Sequence, residues 1–388
     1  AYPDFSVMDK FTGYLRPGNY RVFKENAKAC GLLGLNSEFA GNSGKVQVMM
    51  YKEDMEANFR TPQIYGFEML DLHDYLGQGT ALVGVLDPFW ESKGYIKPEE
   101  FKEFCGETVI LARIPSYVCS SEDRISVTVE VCHFGKEPVE GGKVEWEPRG
   151  KADGGNGPAE SGAWTDVFLP PGKNTEVGRI EPDFRQVIGN SKMTLTVRLG
   201  EVKNHWDIYV YRKQEESISG GSGQGVLYTR TWPEAKKALS EGKRVVYSPF
   251  LSELDFDCPP LSMNPVFWNS QMGPDWVRCL GLVIEKEHPV FKSFPTEEYG
   301  GWQWEDILNQ SRGFLLKDMP GELKPVVRAI DDWNRNLPLG LIFEGRVGDG
   351  RLLVVSAYLE GEFEKRPAAW SLKRAILDYA ASDEFCPE

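Results

Sequence analysis

Between residues 107 and 213 the apolar side chains fall into short runs of period two. The segment Arg124-Ile-Ser-Val-Thr-Val-Glu-Val alternates as a half-buried antiparallel strand must, since successive side chains point to opposite faces. Comparable runs occupy 109–113, 144–147, 165–168, 175–180, 193–199 and 205–211, with turn residues between them. About seven strands in about 105 residues predict a β-sandwich of immunoglobulin type. Cys119 and Cys132 lack the Cys…Trp…Cys spacing of an antibody domain. Gly150–Gly162 is glycine-rich and predicts a loop or wide hairpin.

On either side the period changes. After the Ser/Gly-rich segment 214–225, which predicts a flexible linker, strand and helix signals alternate to the end of the chain. Strands are predicted at 226–228, 243–247, 314–316 and 326–330, and a hairpin over 339–358 around Gly348-Asp349-Gly350. Helices are predicted at 232–239 and 367–381, the last with Ala369, Leu372, Ala375, Ile376 and Tyr379 on one face. Residues 226–388 therefore predict a three-layer α/β domain of flavodoxin or amidotransferase-like type. Cys279 stands in Val-Arg-Cys-Leu-Gly, without the first glycine of a nucleophile elbow, and reads as a packed thiol. The aromatic residues Trp302, Trp304 and Trp333 read as core or interface fillers ahead of sugar platforms. The glycine run 220–225 precedes a strand, so it fails the context of a phosphate loop.

Residues 1–105 open with a loop at Tyr2-Pro3-Asp4. A helix comes next, from Pro17 to about Gly31, with Tyr20, Phe23 and Ala27 on one face. A second helical region begins at Asn36 and Ser37, both able to cap it, and ends at Thr61-Pro62. Gly41 and Gly44 weaken its first half. Pro98-Glu99-Glu100 starts a short helix.

The stretch 65–94, YGFEMLDLHDYLGQGTALVGVLDPFWESKG, concentrates polar chemistry. Phe67, Met69, Leu70 and Leu72 form an apolar run that turns polar at Asp71, His73 and Asp74. One reading is a buried strand, predicted over Phe67–Leu72, that delivers a site at its C-terminal end, as in a (β/α)8 barrel. The other is that Asp71 and Asp74 cap the turn after them. Pattern alone does not choose between them.

This stretch resembles the eighth barrel strand and adjoining loop of glycoside hydrolase family 2, the β-galactosidase, β-glucuronidase and β-mannosidase family. Residues 1–27, AYPDFSVMDKFTGYLRPGNYRVFKENA, resemble the segment after the seventh strand in large bacterial members. Later similarity rests on domain order and on motifs such as GLIFEGRVGDGRLLVVS. The resemblance implies a C-terminal barrel part at 1–105, the sandwich at 106–213, usually structural or auxiliary in this family, and the α/β domain at 226–388. It implies a retaining exo-β-glycosidase acting on terminal sugars of oligo- or polysaccharides, with two carboxylates about 5–5.5 Å apart. Those carboxylates would end the fourth and seventh strands, upstream of Ala1, so the isolated chain is expected to be inactive. Asp71, His73, Asp74, Gln78 and Trp90 would line the sugar pocket. Most members place a Trp in the eighth strand beneath the sugar; here Met69 or Leu70 stands there, and Trp90 is the substitute platform. Residues 1–105 should contribute fewer than three barrel strands and leave an exposed apolar edge. A periplasmic or secreted location, with its signal upstream, goes with this reading. The alternative is a non-catalytic carbohydrate-binding or scaffolding region.

Composition limits other classes. A net charge of −14 with no Lys/Arg cluster argues against a nucleic-acid partner. Hydrophobic residues at 41% and 11 Trp indicate a folded chain long enough for two or three domains. No run approaches the ~18 apolar residues of a membrane span. The seven cysteines show no CxxC spacing, so neither a metal nor any other cofactor is expected.

Overall fold

The computed structural model describes residues 1–64, 66–70, 72–75, 82–151, 160–213, 225–254, 257–263 and 279–387. It is a mixed α/β protein, about 27% helix and 30% strand. The chain forms two compact units. The first comprises Ala1–Gln47, Asp71–Tyr95 and Glu216–Glu388, and the second Val48–Leu70 and Ile96–Glu215. The predicted block 1–105 is thus shared between the two.

Helix α1 (Gly18–Ala29) buries Tyr20, Phe23 and Ala27, the face read from the sequence. It ends where Gly31 adopts φ +71°, and the Leu32 and Gly31 N–H groups bond the Ala27 and Lys28 carbonyls. That is a Schellman stop, which a glycine makes without steric penalty. Helix α2 (Asn36–Arg60) runs through Gly41 and Gly44 unbroken. Gly44 has a specific reason: a Cβ there would stand 2.1 Å from the Tyr95 ring. The Asn36 carboxamide, expected as a cap, accepts from the Phe5 N–H and donates to the Pro3 carbonyl.

In the second unit the short helix α3 (Pro98–Phe101) precedes eight strands. They are β1 (Thr108–Arg113), β2 (Val118–Ser120), β3 (Val127–His133), β4 (Val139–Lys151), β5 (Gly162–Leu169), β6 (Lys173–Ile180), β7 (Ser191–Leu199) and β8 (Val202–Tyr211). One sheet has the order β1-β3-β6 and the other β2-β8-β7-β4-β5. Ile110, Val129 and Ile180 from the first sheet share a core with Val144, Leu195 and Trp206 from the second. The two sheets therefore close on each other as a sandwich. The outer face of the three-stranded sheet is also apolar. Val109, Leu111 and Cys132 are covered by Phe59 of α2, with Phe67 and Phe134 packed beside them.

That second half of α2 is fixed through a buried polar network. Glu56 is fully buried and accepts from Lys52, from Asn204 Nδ2 at 2.8 Å and from Trp206 Nε1 at 2.9 Å. Asn204 also donates to the Ile110 carbonyl at 2.7 Å. Helix, β8 and β1 are tied by groups that would each be expensive to leave unpaired.

The first unit carries β9 (Val226–Thr229), α4 (Trp232–Ser240), β10 (Arg244–Tyr247), β11 (Gly281–Ile284), α5 (Glu305–Asn309), β12 (Phe314–Leu315), β13 (Val327–Ile330), β14 (Leu339–Val347), β15 (Gly350–Val355) and α6 (Pro367–Ala381). Their sheet runs β11-β13-β14-β15-β10-β9, with β12 on β14. Strands β9, β10 and β15 are mutually parallel and the remaining pairs antiparallel. Ala235, Ala238 and Leu239 of α4 pack on Val245, and Val246, pointing to the other face, is equally buried. Helix α6 packs against β9 and β10. A further core joins Tyr2, Phe5, Tyr20, Phe23 and Leu82 to Leu280, Val283, Ile330 and Trp333.

The predicted strand Phe67–Leu72 does not form. The described residues there have no ladder partner, and Leu70 and Leu72 are 73% and 36% exposed. An apolar run becomes a strand only where a neighbour completes its hydrogen bonds, and residues 1–105 supply isolated bridges alone among their described residues. Tyr14, Leu15, Tyr75, Phe89 and Trp90 of the first unit are exposed as well.

Candidate functional site

The site lies in the first unit, on the short segments 72–75 and 82–95. His73 pairs with Leu86 in a parallel bridge, and Leu86 with Ser92 in an antiparallel one. The Asp74 N–H bonds the Leu86 carbonyl at 3.0 Å, and the Val85 N–H the Leu72 carbonyl at 3.0 Å. This approach is close enough to demand glycine. A Cβ on Gly84 would lie 2.3 Å from the His73 carbonyl carbon.

Asp87-Pro88-Phe89-Trp90 then makes a β-turn, closed by the Trp90 N–H on the Asp87 carbonyl at 3.0 Å. Asp and Pro are the residues such a turn favours at its first two positions. The buried Asp87 carboxylate accepts from the Phe89 and Glu91 N–H groups at 2.8 and 3.0 Å and from Lys10 Nζ at 2.5 Å. Burial pushes this carboxyl up, but the Lys10 bond and the two backbone donors outweigh it and hold the group below its ordinary value.

Trp90 occupies the position where the same turn favours glycine, and its φ is +64°. The left-handed region costs a residue with a Cβ about 1–2 kcal/mol. The indole so held is 62% exposed and packs on the His73 ring, centroids 4.4 Å apart and planes at 40°. His73 Nδ1 lies 2.8 Å from the Asp74 carbonyl, an acceptor only, so Nδ1 carries the proton and Nε2 is the acceptor of the neutral ring.

Beneath this pair Asp74 is 2% exposed. It accepts from Lys93 Nζ at 2.6 Å, the Gly84 N–H at 3.2 Å and the Tyr20 hydroxyl at 3.2 Å. Burial pushes the Asp74 carboxyl up and the Lys93 ammonium down, each opposed by the other's charge. Asp74 is an anchor under the surface. Among the expected pocket residues, His73 and Trp90 are brought together; Asp71 and Gln78 lie outside the described residues. Lys10, Asp87 and Lys93 were not singled out from the sequence, and Tyr20 was read only as part of the buried face of α1. The turn signature Asp-Pro-Phe-Trp was the available signal for Asp87.

The other candidates pack as fillers. Trp304 is fully buried against Phe291 and Phe294 with its indole N–H on Thr296, and Trp333 is 3% exposed. Cys279 is buried with its thiol on the Gly281 carbonyl, and burial pushes that thiol up to about 12, far from a nucleophile's range. Among the described residues no cluster of His, Cys, Asp or Glu could hold a metal ion, and no helix is long and apolar enough to cross a membrane.

Two family models match parts of the chain, both described as domains of unknown function: DUF8487 over residues 227–388 and DUF8488 over residues 123–212. No curated protein matches the sequence. Solved structures with partial similarity include the alkylpurine DNA glycosylase AlkC of Pseudomonas fluorescens, at 14% identity and TM-score 0.23 over 29% of this chain and 33% of that one. Spo0M, a sporulation control protein of Bacillus subtilis, aligns at 14% identity and TM-score 0.21 over 28% of this chain and 50% of its own. A β-glucuronidase of Parabacteroides merdae aligns at 11% identity and TM-score 0.19 over 37% of this chain and 21% of its own. The chain spans half or less of the length of each.

Proposed function

We propose that this chain is the C-terminal portion of a retaining exo-β-glycosidase of the family 2 type, and that Trp90 with His73 forms its sugar platform. The observation that carries the reading is Trp90 itself: a large exposed ring held in a backbone conformation that disfavours every residue with a Cβ. Strain of this kind persists where the surroundings over-determine it, and such sites cluster where ligands are held. An exposed indole face suits the apolar face of a pyranose, and the acceptor nitrogen of His73 suits a hydroxyl at its rim.

In this reading 106–213 is an immunoglobulin-like sandwich of auxiliary role and 226–388 a flavodoxin-like domain. The acid/base and nucleophile carboxylates lie upstream of Ala1, the enzyme is periplasmic or secreted, and no metal or organic cofactor enters the reaction. The test is hydrolysis of a panel of aryl β-glycosides by the intact polypeptide, with the anomeric outcome followed by NMR. Release of a β-configured terminal sugar by the intact enzyme, and none by residues 1–388 alone, is expected. Inversion, or turnover by the isolated chain, would overturn the assignment.

A further inference from the structure

The second unit holds a cleft of about 370 Å³ where the end of α2 meets the outer face of the three-stranded sheet. That volume falls in the range of small-molecule sites. Phe59 and Phe134 form its apolar side, with ring centroids 6.1 Å apart. Its polar side is assembled from three adjacent strands. Glu130 of β3 accepts from Arg113 Nε of β1 at 2.6 Å and from Asn174 Nδ2 of β6 at 2.7 Å. Glu130 is 8% exposed and sits at a register shift between Val129 and Glu130, the kind of bulge that re-aims a side chain.

We propose that this cleft is a second glycan-binding site, taking a neutral sugar residue independently of the Trp90 platform. Charge selects the ligand class. Arg113 is paired with Glu130, Arg60 with Glu53 at 2.6 Å, and the exposed Lys173 and Glu176 of the lining are opposite in sign, so the cleft presents no cluster of unmatched cations for a phosphate or sulfate. What it does offer is planar, fixed hydrogen-bonding groups. Each Glu130 oxygen holds one donor and keeps a lone pair, and the Asn174 carboxamide, oriented by its bond to Glu130, presents its oxygen as an acceptor. Acceptors of this kind beside aromatic rings match a pyranose, whose hydroxyls lie at the rim and whose C–H groups form the faces. The choice of a sugar over another neutral polyol rests on the glycosidase reading.

The experiment is isothermal titration of the 388-residue chain with neutral gluco-, manno-, galacto- and xylo-oligosaccharides, and with glucuronate as the charged control. Asn174→Ala removes an exposed side chain and leaves the fold intact; Glu130→Gln is checked by its melting curve. Binding of at least one neutral oligosaccharide is expected, weakened tenfold or more by Asn174→Ala and by folded Glu130→Gln when each is made in a Trp90→Ala background, where the first platform cannot contribute. The proposal is overturned if no neutral sugar binds at millimolar concentration, if glucuronate alone binds, or if Asn174→Ala leaves binding unchanged in that background. Loss of hydrolysis by the intact enzyme would sink the glycosidase reading and leave this binding measurement standing.

Discussion

Replacing Trp90 by glycine and by alanine removes the indole equally, so the difference between the two variants isolates the backbone. Both lose the stacking on His73 and the same exposed ring. At φ +64° alanine retains the left-handed cost of about 1–2 kcal/mol, and glycine does not. Glycine gives back part of that, about 0.4–1 kcal/mol, through the greater freedom of its unfolded chain. The glycine variant should therefore be the more stable by about 0.5–1 kcal/mol, the reverse of the usual order of the two residues. For a unit of this size that is roughly 1–4 °C in the melting of the first unit, measurable by calorimetry with a urea titration beside it. On the functional side the intact enzyme should show the same rise in KM in both variants, about tenfold for a lost stacking contact, with kcat little changed. Alanine as stable as glycine, or more so, would mean that the left-handed conformation carries no strain, and the argument from Trp90 to a ligand would fall with it.

Lys93→Met should destabilise the first unit by about 3–5 kcal/mol in urea unfolding, because the buried Asp74 carboxylate keeps only neutral donors; Asp74→Asn in the same chain should recover part of the loss. Glu56→Ala should cost the second unit about 3–5 kcal/mol by the same measurement, since Lys52, Asn204 and Trp206 lose their shared acceptor. Asp87 has its folded pKa below the unfolded value of about 3.9, so its ionised form stabilises the fold above that pH, and the contribution disappears as pH falls through the folded value. Asp87→Asn should thus melt below wild type at pH 7 and converge with it in acid; a gap that is unchanged at pH 2 would refute that assignment.

The period of the apolar residues carried most of the architecture. All seven strands predicted between 107 and 213 form; β7 buries strictly alternate side chains, whereas β1 and β3 are buried on both faces, the outer one under Phe59. Strands β2, with three residues, and β11, with four, were not read from the sequence. Gly41 and Gly44 suggested a weak start to α2, yet the helix is continuous. A glycine lowers helix propensity by about 1 kcal/mol, and the packing of Tyr95 into the space left at Gly44 outweighs that. The failed strand at 67–72 has the opposite cause. Its composition suits a strand, but a strand is a relation between two segments, and no neighbouring ladder forms in the described part of this chain.

The same distinction governs the site. His73 and Trp90 were legible as residue types, whereas Lys10 with Asp87 and Tyr20 with Asp74 join positions 77 and 54 residues apart, which no local pattern encodes. Local chemistry does show why Trp90 stands out once the turn is known. Asp87 and Pro88 obey the rules of the turn, and Phe89 packs its ring on Phe11 at 4.7 Å. Only the fourth position breaks the rule, where glycine would fit without strain and the chain has its largest side chain instead. A substitution that served packing would bury the ring, yet this one leaves most of it in solvent. Asp87 holds the turn through two backbone bonds and Lys10, Asp74 holds the His73 segment through Lys93, and both carboxylates stay below the surface. The buried Asp74–Lys93 pair, and the buried Asp87 carboxylate held by the exposed Lys10, therefore act to present one exposed ring and one imidazole, an arrangement that suits the proposed binding role better than packing.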